Sequence, residues 1–185
     1  MKKFIFITLF ISVASVLLIT QRTGAEVEKV YKIGDRGPAG GIVFYDSGNS
    51  SSGWRYLEAS PEDQGKAVWG CYEVYLKGAK YTGLGQGKIN TEAMINECRE
   101  QNTAAKICAD YRGGGKSDWY LPSKNELNEM FKVLSGRGDT RLVFENYWSS
   151  SQYNANSGWM QDYSTRIENH FGKDYQQRVR AIRSF

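Results

Sequence analysis

Apolar and polar positions along the chain sort into two regimes. Residues 4–20 form an uncharged, mostly apolar run of 17 residues, preceded by Lys2 and Lys3 and followed by Gln21-Arg22-Thr23-Gly24-Ala25. From residue 26 onward no apolar run is long, and short alternating stretches are punctuated by glycine. Val30–Ile33 and Ile42–Tyr45 flank the turn Gly-Asp-Arg-Gly-Pro-Ala-Gly-Gly and predict a hairpin. Trp54–Ala59 and Ala67–Trp69 read as short strands, with a turn at Pro61–Gly65. Residues 76–89 hold Lys77, Lys80 and Lys88, several glycines and no acid, which predicts a long irregular loop of local charge +3.

Helical spacing follows. Asn90 is placed to cap a helix over Thr91–Cys98 with Met94, Ile95 and Cys98 inward. Thr103 is placed to cap another over Ala104–Tyr111 with Ile107, Cys108 and Tyr111 inward. Gly113-Gly114-Gly115 breaks the chain. Ser123 and Glu126 have capping-box spacing, and Leu127, Met130, Phe131 and Leu134 mark one apolar helix face that ends at Gly136. Beyond Gly138, Tyr147–Gln152, Gly158–Ser164, Arg166–Phe171 and Gln177–Phe185 read as strands, separated by loops at 153–157 and 172–176. The pattern is α+β in one domain, with mostly antiparallel strands and two to three short helices.

The basic start, apolar run and small residues at 23–25 fit an export signal cleaved after Ala25, leaving a domain of residues 26–185. The rival reading is an uncleaved anchor, because 17 residues only reaches the lower limit for a membrane span; that is the one membrane association expected. No Cys follows the run to accept a lipid. The expected location is therefore periplasmic, cell-surface or secreted. Cleavage also changes the charge. The full chain carries +4, but losing Lys2, Lys3 and Arg22 leaves 21 basic and 20 acidic residues, a net of +1. A general electrostatic hold on nucleic acid is excluded on that balance.

Export permits a disulfide. Three cysteines, Cys71, Cys98 and Cys108, allow three choices of pair. Cys98–Cys108 is the favoured one, because two helices joined by a short break fold back on each other, which leaves Cys71 over. A zinc site is not expected, since there is no CxxC pair and His170 is the only histidine. The Gly-rich turn at 34–41 lacks the Lys-Ser/Thr of a phosphate loop. No metal or cofactor is expected.

Catalysis finds no support. His170 sits in a polar run with no nucleophile positioned for it, Ser149-Ser150-Ser151 lacks elbow glycines, and no carboxylate spacing stands out. Recognition fares better. Residues 147–185 carry eight aromatics among Ser, Asn and Gly, the residue types of adaptable binding surfaces, with a local net charge of +2. The expected ligand surface is Asn154, Asn156, Trp159, Asp162, Tyr163, Arg166 and Lys173. If Met160 faces the core, Trp159 and Tyr163 point outward as a flat platform; a one-residue change of register reverses that. The alternative location is the Lys77, Lys80, Lys88 loop.

Tyr31-Lys-Ile-Gly-Asp-Arg-Gly-Pro-Ala-Gly-Gly-Ile-Val-Phe-Tyr-Asp46, Ser117-Asp-Trp-Tyr-Leu-Pro-Ser-Lys-Asn-Glu-Leu127, Tyr147-Trp-Ser-Ser-Ser151 and Arg178-Val-Arg-Ala-Ile-Arg-Ser-Phe185 together resemble the C-terminal domain family of the Legionella collagen-like adhesin. The resemblance spans residues 31–185 and implies a C-type-lectin-like fold. It also implies non-enzymatic binding of a polysaccharide, sulfated glycans among them, or of a protein ligand outside the cytoplasm. The chain lacks a collagen-like repeat, so a built-in trimer is not implied, and the oligomeric state stays open. The C-terminal pattern also resembles the diversified display proteins of bacterial retroelements. Formylglycine-generating enzymes share the broad fold, but they need a cysteine pair near the C-terminus, and no cysteine follows Cys108. The rival classes are an enzyme acting on envelope polysaccharide and a structural envelope protein.

Overall fold

The computed structural model describes residues 29–138 and 140–185; the expected signal at 1–25 lies outside the described residues. Among the described residues, three strands, three α-helices and then five strands follow one another: β1 (Ile42–Asp46), β2 (Tyr56–Ala59), β3 (Lys66–Val68), α1 (Gly87–Glu97), α2 (Ala104–Asp110), α3 (Lys124–Leu134), β4 (Asn146–Gln152), β5 (Ser157–Asp162), β6 (Glu168–Gly172), β7 (Gln176–Arg178) and β8 (Ile182–Ser184). They make a three-stranded sheet, β1-β2-β8, and a five-stranded sheet, β3-β7-β4-β5-β6. The α+β class is as expected. The larger sheet is mixed, because β4 and β7 run parallel.

α3 forms as its sequence dictates. Ser123 Oγ accepts from the Glu126 N–H, and the Glu126 carboxylate accepts from the Ser123 N–H at 2.7 Å. Leu127, Met130, Phe131 and Leu134 are buried, joining Phe44, Leu57, Tyr147 and Ile182 in a core under the small sheet. A second core lies between α1, α2 and β4, built on Trp69, Leu76, Met94, Cys108, Leu121 and Trp148. Thr103 caps α2 through the Lys106 N–H, as expected.

Several expectations fail for identifiable reasons. Val30–Ile33 is not a strand. Val30 and Ile33 face solvent and Tyr31 packs on Tyr56 and Phe185. β1 pairs with β2, and the turn's near side meets β1 through residues 34–36, with the Gly34 N–H on the Val43 carbonyl at 2.8 Å and the Val43 N–H on the Asp35 carbonyl at 2.9 Å. Asn90 does not cap α1, which begins at Gly87. Its side chain is wholly buried and exchanges hydrogen bonds with the main chain of Tyr81, so it serves a loop rather than a helix end. Ile95 turns outward, and Met94 alone of that pair enters the core. The last predicted strand splits at Val179-Arg180-Ala181. Arg180 is fully buried there, donating to the Ser60 and Thr140 carbonyls and pairing with Asp63 at 2.8 Å. That anchor carries the chain from one sheet to the other.

The disulfide is Cys71–Cys98, and Cys108 is a buried free thiol. The expected Cys98–Cys108 pair fails because Cys108 lies on the core face of α2 with Ala104 and Ala105, whereas Cys98 sits just beyond the end of α1. Gly70, where a Cβ would collide with Thr103, leads the chain to Cys71 beside it. Burial pushes the Cys108 thiol pKa well up, so it stays protonated and inert. Non-reducing peptide mapping of the purified protein is expected to recover Cys71 joined to Cys98. Cys108 should stay unreactive to thiol reagents until denaturation. A cross-linked peptide containing Cys108 would overturn the pairing.

Candidate functional site: an aromatic face on the β5–β6 hairpin

β5 and β6 pair antiparallel with Gly158 opposite Phe171, Trp159 opposite His170 and Met160 opposite Asn169. Met160 lies against Trp148 on the core side, as its apolar side chain requires, and Trp159 takes the other face. On that face the cross-strand pair brings the Trp159 and His170 rings to 5.8 Å, edge to face. Tyr153, at the end of β4, stacks flat on His170 with ring centres 3.9 Å apart and meets Trp159 edge-on at 5.1 Å. Lys124, at the start of α3, sets its ammonium 4.6 Å from the Trp159 ring centre and pairs with Glu168 at 2.6 Å. Tyr153 is 48% exposed, and Trp159 and His170 are half-buried. The result is a solvent-facing aromatic step bordered by one ammonium and one carboxylate, a combination that stacks on apolar ring faces and bonds hydroxyls.

The expected site residues divide around this step. Asn154 and Asn156 are exposed beside Tyr153. The Asn154 carboxamide accepts from the Asn156 and Ser157 N–H groups, both at 2.8 Å, and so shapes the turn. Asp162 and Arg166 lie at the far end of the hairpin. Hydrogen bonds from the Ser164 hydroxyl and the Thr165 N–H hold the Asp162 carboxyl below its usual range, and Arg166 reaches Ser135. Two expected members are not on the surface. Tyr163 lies beyond the end of β5, where the Asp162 turn redirects the chain, and packs on Phe131 and Tyr147 in the core. Lys173 is fully buried, donates to the Val74 carbonyl and Gln152 Oε1 at 2.7 Å each, and lies 4.5 Å from the Trp69 ring centre. Burial lowers its pKa to about 8. The outward platform of Trp159 with Tyr163 is therefore replaced by Trp159 with Tyr153 and His170.

Tyr153, His170, Lys124 and Glu168 were not among the expected residues. The signal for His170 was present in the chain. Reading Asp162-Tyr-Ser-Thr-Arg as a polar turn, rather than as the end of one strand and the start of the next, sets Trp159 directly opposite it. Lys124 and Tyr153 arrive from other elements and leave no local trace.

The closely grouped metal-capable side chains among the described residues are Cys71, Cys98 and Glu100, and the two sulfurs are consumed by the disulfide. Among the described residues no helix is long and apolar enough to cross a membrane.

No family model matches the chain, and no curated protein matches it. Among solved structures, it is similar to a crystal structure of a fimbrial protein from Bacteroides ovatus, with a TM-score of 0.51 and 14% identity over 78% of this chain. The match covers 44% of that protein, so this chain spans less than half of its length. At that identity the likeness shows a shared fold.

Proposed function

We propose that this is an exported, non-enzymatic, C-type-lectin-like protein that binds extracellular or envelope polysaccharide on the Trp159–Tyr153–His170 face. The observation that carries this reading is the exposed aromatic step itself. Sugar rings present C–H faces that pack on aromatic rings, and an adjacent Lys124–Glu168 pair offers both a donor and an acceptor to hydroxyl groups. Lys124 is neutralised by Glu168, which favours an uncharged sugar over a sulfated one at this face. A disulfide belongs with an oxidising compartment, and a fold shared with a fimbrial protein supports a place at the cell surface.

A glycan array on the exported protein is the direct test. Binding to neutral glycans, little weakened by salt and lost in the Trp159→Ala, Tyr153→Ala double variant, is the expected result. The variant should stay folded with a lowered melting temperature, because Tyr153 is exposed whereas Trp159 is half-buried against His170 and Lys124. Glycans shortened after incubation would point to an enzyme. Silence across the array, or binding that survives the double substitution, would sink the reading.

A further inference from the structure

The segment from Cys71 to Tyr81 has an unusual build. Four of its outward side chains are large and apolar or aromatic: Tyr72, Val74, Tyr75 and Tyr81 are each more than two-fifths exposed, with Glu73 among them and Lys77 and Lys80 exposed further along. Its inward main chain is clasped almost atom by atom. Lys173 Nζ donates to the Val74 carbonyl, and Gln152 exchanges hydrogen bonds with both main-chain groups of Leu76. The Glu97 carboxylate accepts from the Lys77 and Gly78 N–H groups, and Asn90 holds Tyr81. The disulfide fixes one end. Cys71 and Glu73 are held at φ of 50° and 66°, a left-handed conformation that non-glycine residues adopt at a cost. Buried lysine, paired carboxamide, cross-link and strain all serve to fix a convex turn that presents Tyr72-Glu73-Val74-Tyr75 to solvent. Apolar side chains displayed on a rigid turn lose little entropy on docking, and tyrosine is a frequent anchor in protein contacts.

A concave counterpart exists on the same chain. A cleft of ≈ 360 Å³ opens beside the start of β2 and the end of β8, walled by Tyr31, Trp54, Tyr56 and Phe185 with Lys29 and Arg55 at its rim. Its floor is an aromatic cluster, with the Tyr31, Tyr56 and Phe185 rings 5.3–5.4 Å apart: Tyr31 meets the other two edge-on, and Tyr56 and Phe185 are tilted against each other. Lys29 lies 4.6 Å over Tyr31, whereas Arg55 is engaged with Asp46 at 2.9 Å. The charges match in the needed sense: Glu73 stands at the crown of the turn between two tyrosines, and Lys29 stands at the mouth of the aromatic cleft.

We infer that the Tyr72–Tyr75 turn of one copy docks in the Lys29–Trp54–Phe185 cleft of a second copy, with Glu73 meeting Lys29. Turn and cleft are different surfaces, so each copy offers both and the contact is heterologous, closing into a ring or propagating head to tail. The test is sedimentation of the exported protein from micromolar to near-millimolar concentration. Concentration-dependent association that weakens with salt is expected. Glu73→Lys alone and Lys29→Glu alone should each weaken it about tenfold or more, through like-charge contact. The double reversal should restore it. Trp54→Ala should also weaken it, with the circular dichroism of every variant unchanged. A protein that stays monomeric throughout leaves the cleft to another occupant and overturns the inference. So does association that ignores the single reversals, or that the double reversal fails to rescue.

Discussion

Replacing Glu58 by alanine is expected to cost ~3–5 kcal/mol of folding stability, the range for breaking a buried ionic network from one side. Glu58 sits in β2 with no exposure, and its carboxylate fills the Gly37–Gly41 turn. Oε1 accepts from the Gly41 N–H at 2.7 Å and the Ala39 N–H at 3.1 Å, and Oε2 accepts from Arg183 at 3.2 Å. Arg183 is 5% exposed and also forks onto Asp118, at 2.9 and 2.8 Å. Removing the carboxylate leaves two buried main-chain donors without an acceptor and takes one anion from a buried cation. Burial raises the Glu58 pKa, and the Gly41 N–H and Arg183 oppose that rise. Glu58→Gln keeps the volume but must aim an amide NH₂ at a donor, so an intermediate loss is expected. The measurement is the denaturant midpoint of each variant. A Glu58→Ala shift worth less than about 1 kcal/mol would mean that water replaces the carboxylate and that the cradle is not what holds the turn.

This turn shows what a sequence conceals. Its glycines resemble those of a phosphate loop, and the resemblance is physical, since close-set main-chain N–H groups do converge on an anion. The anion is the protein's own Glu58, 17–19 residues away in sequence. A Cβ at Gly37 would lie 2.5 Å from the Glu58 carboxyl carbon, and one at Gly41 would fall on the Ala59 carbonyl. Glycine is required there for close approach, not for a ligand.

Features governed by residues three or four apart were legible. α3 with its capping box and buried face, and the α2 cap, depend on spacing along one element. Strand existence was legible wherever alternation met turn residues, as in β1, β2 and β4. Pairing was not: β1 pairs with β2, whose Glu58 is joined to the preceding turn by contacts 17–19 residues apart, and the final strand is divided by the buried Arg180. The candidate site follows the same division. Trp159 was visible as a surface aromatic. Tyr163 is equivalent to it by parity, yet parity holds only while the strand continues, and the Asp162 turn ends it. Lys173 was misplaced because a lysine is ordinarily a surface residue; only the conjunction of Trp69, Val74 and Gln152, from three separate segments, gives it an interior site.

The second large effect is a dependence of stability on pH, centred on Glu126. The protein is expected to be roughly 3 kcal/mol more stable near pH 5 than above pH 7, from a carboxyl whose pKa burial raises from 4.5 to about 7. The folded state then holds its proton more tightly than the unfolded chain does. The contribution is complete below pH 4.5 and is lost as pH rises through 7. Glu58 and Asp63 are raised as well, through desolvation, and act in the same direction. Below this range the sign reverses. Asp118 and Asp162 are held down by hydrogen bonds from Arg183 and Ser164 respectively, so their stabilisation is lost as pH falls through their lowered values. The stability maximum should therefore lie at mildly acidic pH. Glu126 carries the largest share because its burial is nearly complete and outweighs the hydrogen bonds that favour its anion, from the Ser123 N–H that opens α3 and, at 2.9 Å, from the Gly85 N–H just ahead of α1. Gly87 packs directly on this carboxylate, since a Cβ there would lie 2.2 Å from Glu126 Oε2. Denaturant unfolding at a series of pH values, on the protein and on Glu126→Gln, separates this carboxyl from the rest. The substitution should flatten the slope between about pH 5 and 7 while leaving the acid limb unchanged. A slope that persists in the variant would transfer the effect to Glu58 and Asp63, and a wild-type curve flat across that range would mean that the main-chain donors hold Glu126 ionised throughout.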